Sequence, residues 1–351
     1  MSRVRRAPDK LRRLRLAAAQ SGQLSQELGR LREHVTHLEE RLHIAEHATT
    51  KLAEHGLLAP LLHEPENFAR WLTWSPPGHF YSPIPNLAEL ERQADTLWPA
   101  ESPTALPGIA FDTEAHLAFF DGLAELARPV EVPEHQTEPW RYHSENVSFG
   151  IGDALMLHAM LRQIQPARLI EIGSGFSSAM TLDTVEHFLD GKTELTFIEP
   201  YPELLESLLR PADRDRVTII AKPLQTVPLE LFATLTDSDV LFIDSTHVLR
   251  TGSDVVWLYN ELLPTINAGV YVHIHDIFRS FEYPKEWVME GRAWGEAYLV
   301  RAFLTLNDDF EILLFNNWLG HFHQDRIAEI LPQMLANTGG SLWLRRVRKS
   351  R

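Results

Sequence analysis

The sequence contains no cysteine. That excludes disulfides and any thiolate-ligated metal site. It also lacks a run approaching the roughly 18 apolar residues of a membrane-spanning helix. The N-terminus has no apolar core of the kind a secretory signal needs, so a cytoplasmic location is expected. Positive charge is scarce: 33 Lys and Arg stand against 48 Asp and Glu, a net charge of −15. A general nucleic-acid binder needs a basic face, so no nucleic-acid partner is expected. Internal repeats and low-complexity tracts are absent too. What is present is an ordinary globular composition, 44% hydrophobic over 351 residues. That length allows one large domain with an appendage.

Four segments follow one another. Residues 1–13 form a basic tail, with Arg3, Arg5, Arg6, Lys10, Arg12 and Arg13 against Asp9. It reads as a solvated arm or as a contact for an anionic surface. Residues 14–55 carry heptads. Leu28, Val35 and Leu42 fall at a, and Leu24, Leu31 and Leu38 at d. In a parallel dimer the flanking pairs would be Glu27–Arg32, His34–Glu39 and Arg41–Glu46. A coiled-coil homodimer is therefore expected, with a single amphipathic helix folded on its own domain as the alternative. Residues 56–148 are rich in Pro and Trp. Short helices are expected near Pro65–Leu72, Leu87–Leu97 and Thr113–Ala127. This part reads as a cap over a ligand cleft or as a connecting subdomain.

From 149 onward the chain alternates strands and helices. The apolar-faced helix Ala154–Ile164 is followed by strands at Arg168–Ile172, Glu194–Glu199, Val217–Ala221, Asp239–Asp244 and Gly269–His275. A long helix is expected over Ser253–Leu263, and two more strands at Glu311–Phe315 and Ser341–Arg346. This is a doubly wound, mostly parallel α/β sheet of Rossmann-like type.

The chemistry gathers at strand ends, where such sheets bind ligands. The first strand runs into LIEIGSGFSS. Gly173 and Gly175 permit a sharp turn and a close approach to a ligand, and Ser177 or Ser178 is placed to cap the next helix. The dinucleotide fingerprint has a third glycine where Ser178 stands. Glu171 would repel a pyrophosphate and suit a cation, which points to S-adenosylmethionine. Glu199, 24 residues beyond Gly175, is placed to accept the ribose hydroxyls, and Lys222–Gln225 to meet the adenine. The fourth strand ends in FIDSTH and the fifth in VHIHDIF. These bring Asp244, His247, His275 and Asp276 to one cleft. They suit general-base chemistry on a hydroxyl, or a divalent ion. His ligation would favour Mn, Fe or Zn over Mg. His273 reads as a satisfied histidine within its strand. Arg279–Trp294 holds Arg279, Tyr283, Trp287, Arg292 and Trp294, a set suited to an acceptor.

EIGSGFSS, FIEPYP, FIDSTH, GSDV, VHIHDIF and GRAWGEAYLVRAFL together resemble a bacterial branch of the class I S-adenosylmethionine-dependent methyltransferases. YSPIP and FGIGDALML extend the likeness, which covers roughly residues 78–347. The branch is distantly similar to metal-dependent O-methyltransferases of small molecules and sugars. The resemblance implies cofactor binding by Glu171, Gly173, Ser174, Gly175 and Glu199. It implies catalysis by His247 with Asp244, and a Mg or Mn site at Asp244, Asp276 and His275. His275 departs from the acid usual at its position. The acceptor would be a small molecule. Two other classes remain: a nucleotide-dependent oxidoreductase or epimerase, and a coiled-coil scaffold with a vestigial methyltransferase domain.

Overall fold

The computed structural model describes residues 75–101 and 104–347, together with Arg30, Val35 and Leu38. The basic tail, the rest of the heptad stretch and the expected helix at Pro65–Leu72 lie outside the described residues. The chain divides into two units, Met1–Ser82 and Pro83–Arg351. In the first, Arg30, Val35 and Leu38 are helical, and residues 75–82 form turns and bends.

The second unit is built on a seven-stranded sheet. Its strands are β1 (Arg168–Ile172), β2 (Glu194–Ile198), β3 (Val217–Ile220), β4 (Val240–Ile243), β5 (Tyr271–Ile274), β6 (Phe310–Phe315) and β7 (Leu342–Arg346). They lie in the order β3-β2-β1-β4-β5-β7-β6. Strands β1 to β5 are parallel, and β7 is inserted antiparallel between β5 and β6. The strands read as apolar runs because helices cover both faces; all four residues of β4 are fully buried. The chain builds outward from β1 to β3 and then returns to β4 on the other side of β1. That reversal opens a crevice at the carboxyl ends of β1 and β4.

The register brings the strand ends to one level. Ile172 pairs with Ile198 and with Ile243, and Ile243 with Ile274. The ladder runs one residue further: Gly173 N donates to Ile198 O, Asp244 N to Ile172 O and His275 N to Ile243 O, at 2.8–3.0 Å. Glu199 N donates to Ile220 O at 3.2 Å. Gly173, Glu199, Asp244 and His275 thus leave the sheet side by side.

Among the described residues four helices have nine residues or more: α1 (Thr113–Ala127), α2 (Ile151–Ile164), α3 (Phe176–Phe188) and α4 (Glu296–Leu304). Helix α1 starts where expected, because the Asp112 side chain accepts from Glu114 N and Ala115 N. Its Phe120, Leu123, Ala124 and Ala127 are buried in the core that α2 also enters. Covered by α1 as well as by the core, α2 is buried from Gly152 to Leu161, on all sides and not on one face only. The stretch expected as one helix over Ser253–Leu263 is instead an α-turn at Asp254–Trp257, a π-turn at Leu258–Leu262 and a 3₁₀ turn at Leu263–Thr265. Pro264 has no N–H to give and crowds the preceding turn, which breaks the α pattern. A further helix, Asn316–Phe322, follows β6 directly.

Candidate active site

The turn after β1 is held from below. Gly173 takes φ +78°, and a Cβ there would collide with the Asp244 carbonyl oxygen. Gly175 occupies the N-cap of α3. The two serines expected at the cap lie inside the helix instead, where Gly175 N donates to Ser178 Oγ. Both hydroxyls turn back to the strand: Ser177 Oγ and Ser178 Oγ donate to Glu171 Oε1 at 2.5 and 2.9 Å. Glu171 is fully buried, and burial pushes its carboxyl up to about 8. Burial favours its uncharged form, and it braces the turn from beneath. The complement to a cation at this place comes from other carboxylates.

Those carboxylates line a cavity of about 540 Å³ at the ends of β1, β2, β3 and β4. Its wall includes Gly173, Glu199, Tyr201, Leu224, Gln225, Asp244 and Asp254. The volume lies within the ~300–1,000 Å³ of small-molecule sites. Glu199 Oε2 accepts from Ser174 N at 3.4 Å and Oε1 from Tyr201 N at 2.9 Å. Gln225 Nε2 donates to Gly252 O, tying the loop after β3 to the loop after β4. Three acids, Glu199, Asp244 and Asp254, face one cation, Arg250, around this cavity. A pyrophosphate is poorly matched to such a lining, and a cationic ligand is well matched. Glu171, Ser174, Gly175 and residues 83–148 supply none of the lining.

Asp244 connects this cavity to a buried cluster. His247 Nε2 lies 3.4 Å from Asp244 Oδ1 and 3.6 Å from Asp276 Oδ2. His275 Nε2 lies 3.6 Å from Asp276 Oδ1. All four residues grouped from the strand ends therefore meet. His247 and Asp276 are both left-handed, φ +58° and +56°. That conformation is uncommon for non-glycine residues and clusters at functional sites. Burial works against a charge on His247, but Asp244 and Glu296 outweigh it and hold its pKa well above the usual value. Burial likewise opposes ionisation of Asp244, and the neighbouring His275 and His247 bring its pKa down to about 2. The Trp294 ring packs over His247 with centroids 4.7 Å apart.

A model of a methyltransferase domain matches residues 170–277, from the middle of β1 to just past Asp276. An uncharacterized protein of Archaeoglobus fulgidus is 35% identical over 168 residues, 46% of this chain and 74% of that protein. Residues 170–277 of this chain are a methyltransferase domain. Among solved structures, the S-adenosylhomocysteine-bound methyltransferase PaMTH1 of Podospora anserina is 16% identical. It covers 75% of this chain and 97% of its own, with a TM-score of 0.36. The O-methyltransferase TomG of Streptomyces achromogenes, solved with S-adenosylmethionine, is 14% identical, covers 74% and 96%, and has a TM-score of 0.37. These overlaps are loose, and neither bears on the acceptor.

In this methyltransferase the donors expected to hold a divalent ion sit in the same buried cluster as His247. Asp244 and Asp276 both face the His247 imidazole, and His275 reaches Asp276. Among the described residues no group of three or more His, Asp or Glu is arranged to hold a metal. Both aspartates lie within 3.6 Å of His247 Nε2. His273 behaves as a strand histidine: fully buried, stacked on Phe242 at 3.8 Å, with Nε2 2.9 Å from Ser341 Oγ. The aromatic loop packs on itself, with Arg292 over Trp287 and Trp294 at 4.5 and 5.2 Å.

Sequence reasoning missed Glu296. This residue opens α4 inside the GRAWGEAYLV stretch and is fully buried against His247. No local pattern in the sequence signals it.

Proposed function

We propose that this methyltransferase acts on a hydroxyl of a small molecule, with His247 as the base and Asp244 and Asp276 placing the acceptor. The observation that carries the reading is the buried His247, its Nε2 turned to two carboxylates, one of which also walls the cavity. An alcohol is a poor nucleophile until its proton is drawn off. The cofactor supplies an electrophilic methyl group on a cationic sulfur. Glu199 and the turn at Gly173, Ser174 and Gly175 would hold it, with Glu171 bracing the turn. Asp244, ionised throughout the neutral range, can keep the imidazolium stable once it forms.

The cofactor assignment is open to a direct measurement. Titration calorimetry should give saturable binding of S-adenosylhomocysteine and none of NAD. Binding of NAD alone would move the protein to the nucleotide-dependent oxidoreductases or epimerases. Affinity for neither would leave the scaffold reading.

Residues 14–55 are proposed to pair two copies in parallel. Val35 and Leu38, adjacent a and d residues, are helical and about half exposed in the single chain, 51% and 47%. Light scattering of the full chain should give the mass of two 40.1 kDa chains, and Leu31→Glu with Leu38→Glu should halve it. A wild-type monomer would end this reading. A cytoplasmic location is part of the proposal; among the described residues no helix is long and apolar enough to cross a membrane.

A further inference from the structure

We propose that Glu296 is a positioning residue of this site. It ties His247 Nδ1 and leaves Nε2 turned to the gap between Asp244 and Asp276. The inference rests on the reading of His247 as the base and names what holds that base in place.

Three donors from two other elements converge on the Glu296 carboxylate. Ser245 Oγ donates to Oε2 at 2.8 Å, His247 Nδ1 to the same oxygen at 2.9 Å, and Tyr259 OH to Oε1 at 3.1 Å. Tyr259 reaches it from the π-turn, a distortion frequent at functional sites. The backbone is clamped in the opposite sense, for Gly295 N and Glu296 N donate to His247 O at 2.9 and 3.2 Å. Gly295 permits this approach: a Cβ there would come 2.9 Å from Leu249 Cβ. His247 is therefore gripped by both its carbonyl and its ring, at a left-handed backbone position that such contacts must hold.

The chemistry follows from the acceptor-only nature of a carboxylate. Glu296 can accept from Nδ1 only if Nδ1 carries the proton. In the neutral ring Nε2 then holds the lone pair, the form able to take a proton from a hydroxyl. A buried carboxylate on the far nitrogen also stabilises the imidazolium that results, as in acyl-transfer triads. The charged or titratable groups facing His247 are Asp244 from the end of β4, Asp276 from the end of β5 and Glu296 from α4. His275 lies behind Asp276, and Tyr259 behind Glu296.

The test needs no acceptor. In the full chain with ¹⁵N-labelled histidine rings, His247 is assigned by loss of its signals in His247→Asn. Wild type should show both ring nitrogens protonated near neutral pH and, above its raised midpoint, a neutral ring protonated at Nδ1. Glu296→Gln should lose the exclusive Nδ1–H form and lower the ring's titration midpoint by about 1–3 pH units, the effect of removing one adjacent charge. Glu296→Asp keeps the charge and withdraws it by one methylene. It should move the midpoint the same way by less, and it covers a Gln variant that does not fold. Retained calorimetric binding of S-adenosylhomocysteine certifies the fold in each case. An unchanged midpoint and tautomer in both folded variants overturns the proposal. The base reading fails separately: full methyl transfer by His247→Asn would remove it even with Glu296 still setting the tautomer.

Discussion

Gly173→Ala should weaken S-adenosylhomocysteine binding by at least about a hundredfold and lower the melting temperature. Left-handed backbone costs an L-residue roughly 1–2 kcal/mol, and Gly173 sits at φ +78°. The larger effect is steric. The new Cβ would meet the carbonyl oxygen of Asp244, a backbone atom with no rotamer to turn away. Asp244 N is itself bonded to Ile172 O at 2.8 Å, so neither partner can yield without opening the ladder between β1 and β4. That ladder forms the floor of the cavity. Gly252 makes the internal control. It too is left-handed, φ +75°, and lines the same cavity, yet a Cβ there meets nothing within 4 Å. Gly252→Ala should carry the conformational cost alone, about 1 kcal/mol, which for a domain of 150–250 residues is roughly 2–4 °C. Calorimetry and thermal unfolding on the two variants compare collision with strain. Wild-type affinity in Gly173→Ala would remove the turn from the cofactor site.

The contrast between these glycines was not visible in sequence, although the turn itself was. Strand ends announce themselves by an apolar run that stops at a polar residue. Hence the sequence pattern alone places Gly173, Glu199, Asp244 and His275 at one edge. Direction within that edge is another matter. Glu171 precedes the turn by two residues and invited a role facing the ligand. Its strand position points it under the turn, where the hydroxyls at Ser177 and Ser178 are one helical entry away. The pair of serines directly after the turn was a usable clue, since a buried acid needs donors. Glu296 was out of reach for a different reason. It comes 20 residues after Asp276, in a helix start with no motif of its own. Only the return of α4 against the loop after β4 brings it to His247. The protonation of His247 depends on that same return. Carboxylates from β4, β5 and α4 surround one ring, and no local pattern counts charges across three elements.

This surrounding also fixes how the chemical step should depend on pH. His247→Ala should lower turnover by about 10²–10⁴-fold, the usual contribution of a positioned base, on whichever acceptor a screen with labelled cofactor identifies. S-adenosylhomocysteine affinity should be unchanged, because His247 does not line the cavity. A base works in its unprotonated form. Since the neighbouring carboxylates hold the His247 proton above its ordinary range, kcat should rise with pH on the alkaline side of histidine's usual 6.5. Asp244→Asn removes one of the charges responsible, so its rising limb should move to lower pH while the maximal rate falls. The two effects separate: loss of a charge shifts the limb, and loss of acceptor placement lowers the plateau. A chelator decides whether Asp244 and Asp276 also hold an ion: lost wild-type turnover adds a divalent metal to the site, and unchanged turnover leaves them with the imidazole alone. Full turnover in both variants, or loss of cofactor binding in His247→Ala, would refute the assignment of the base. The methyltransferase domain would stand either way, since it rests on the family match and not on this histidine.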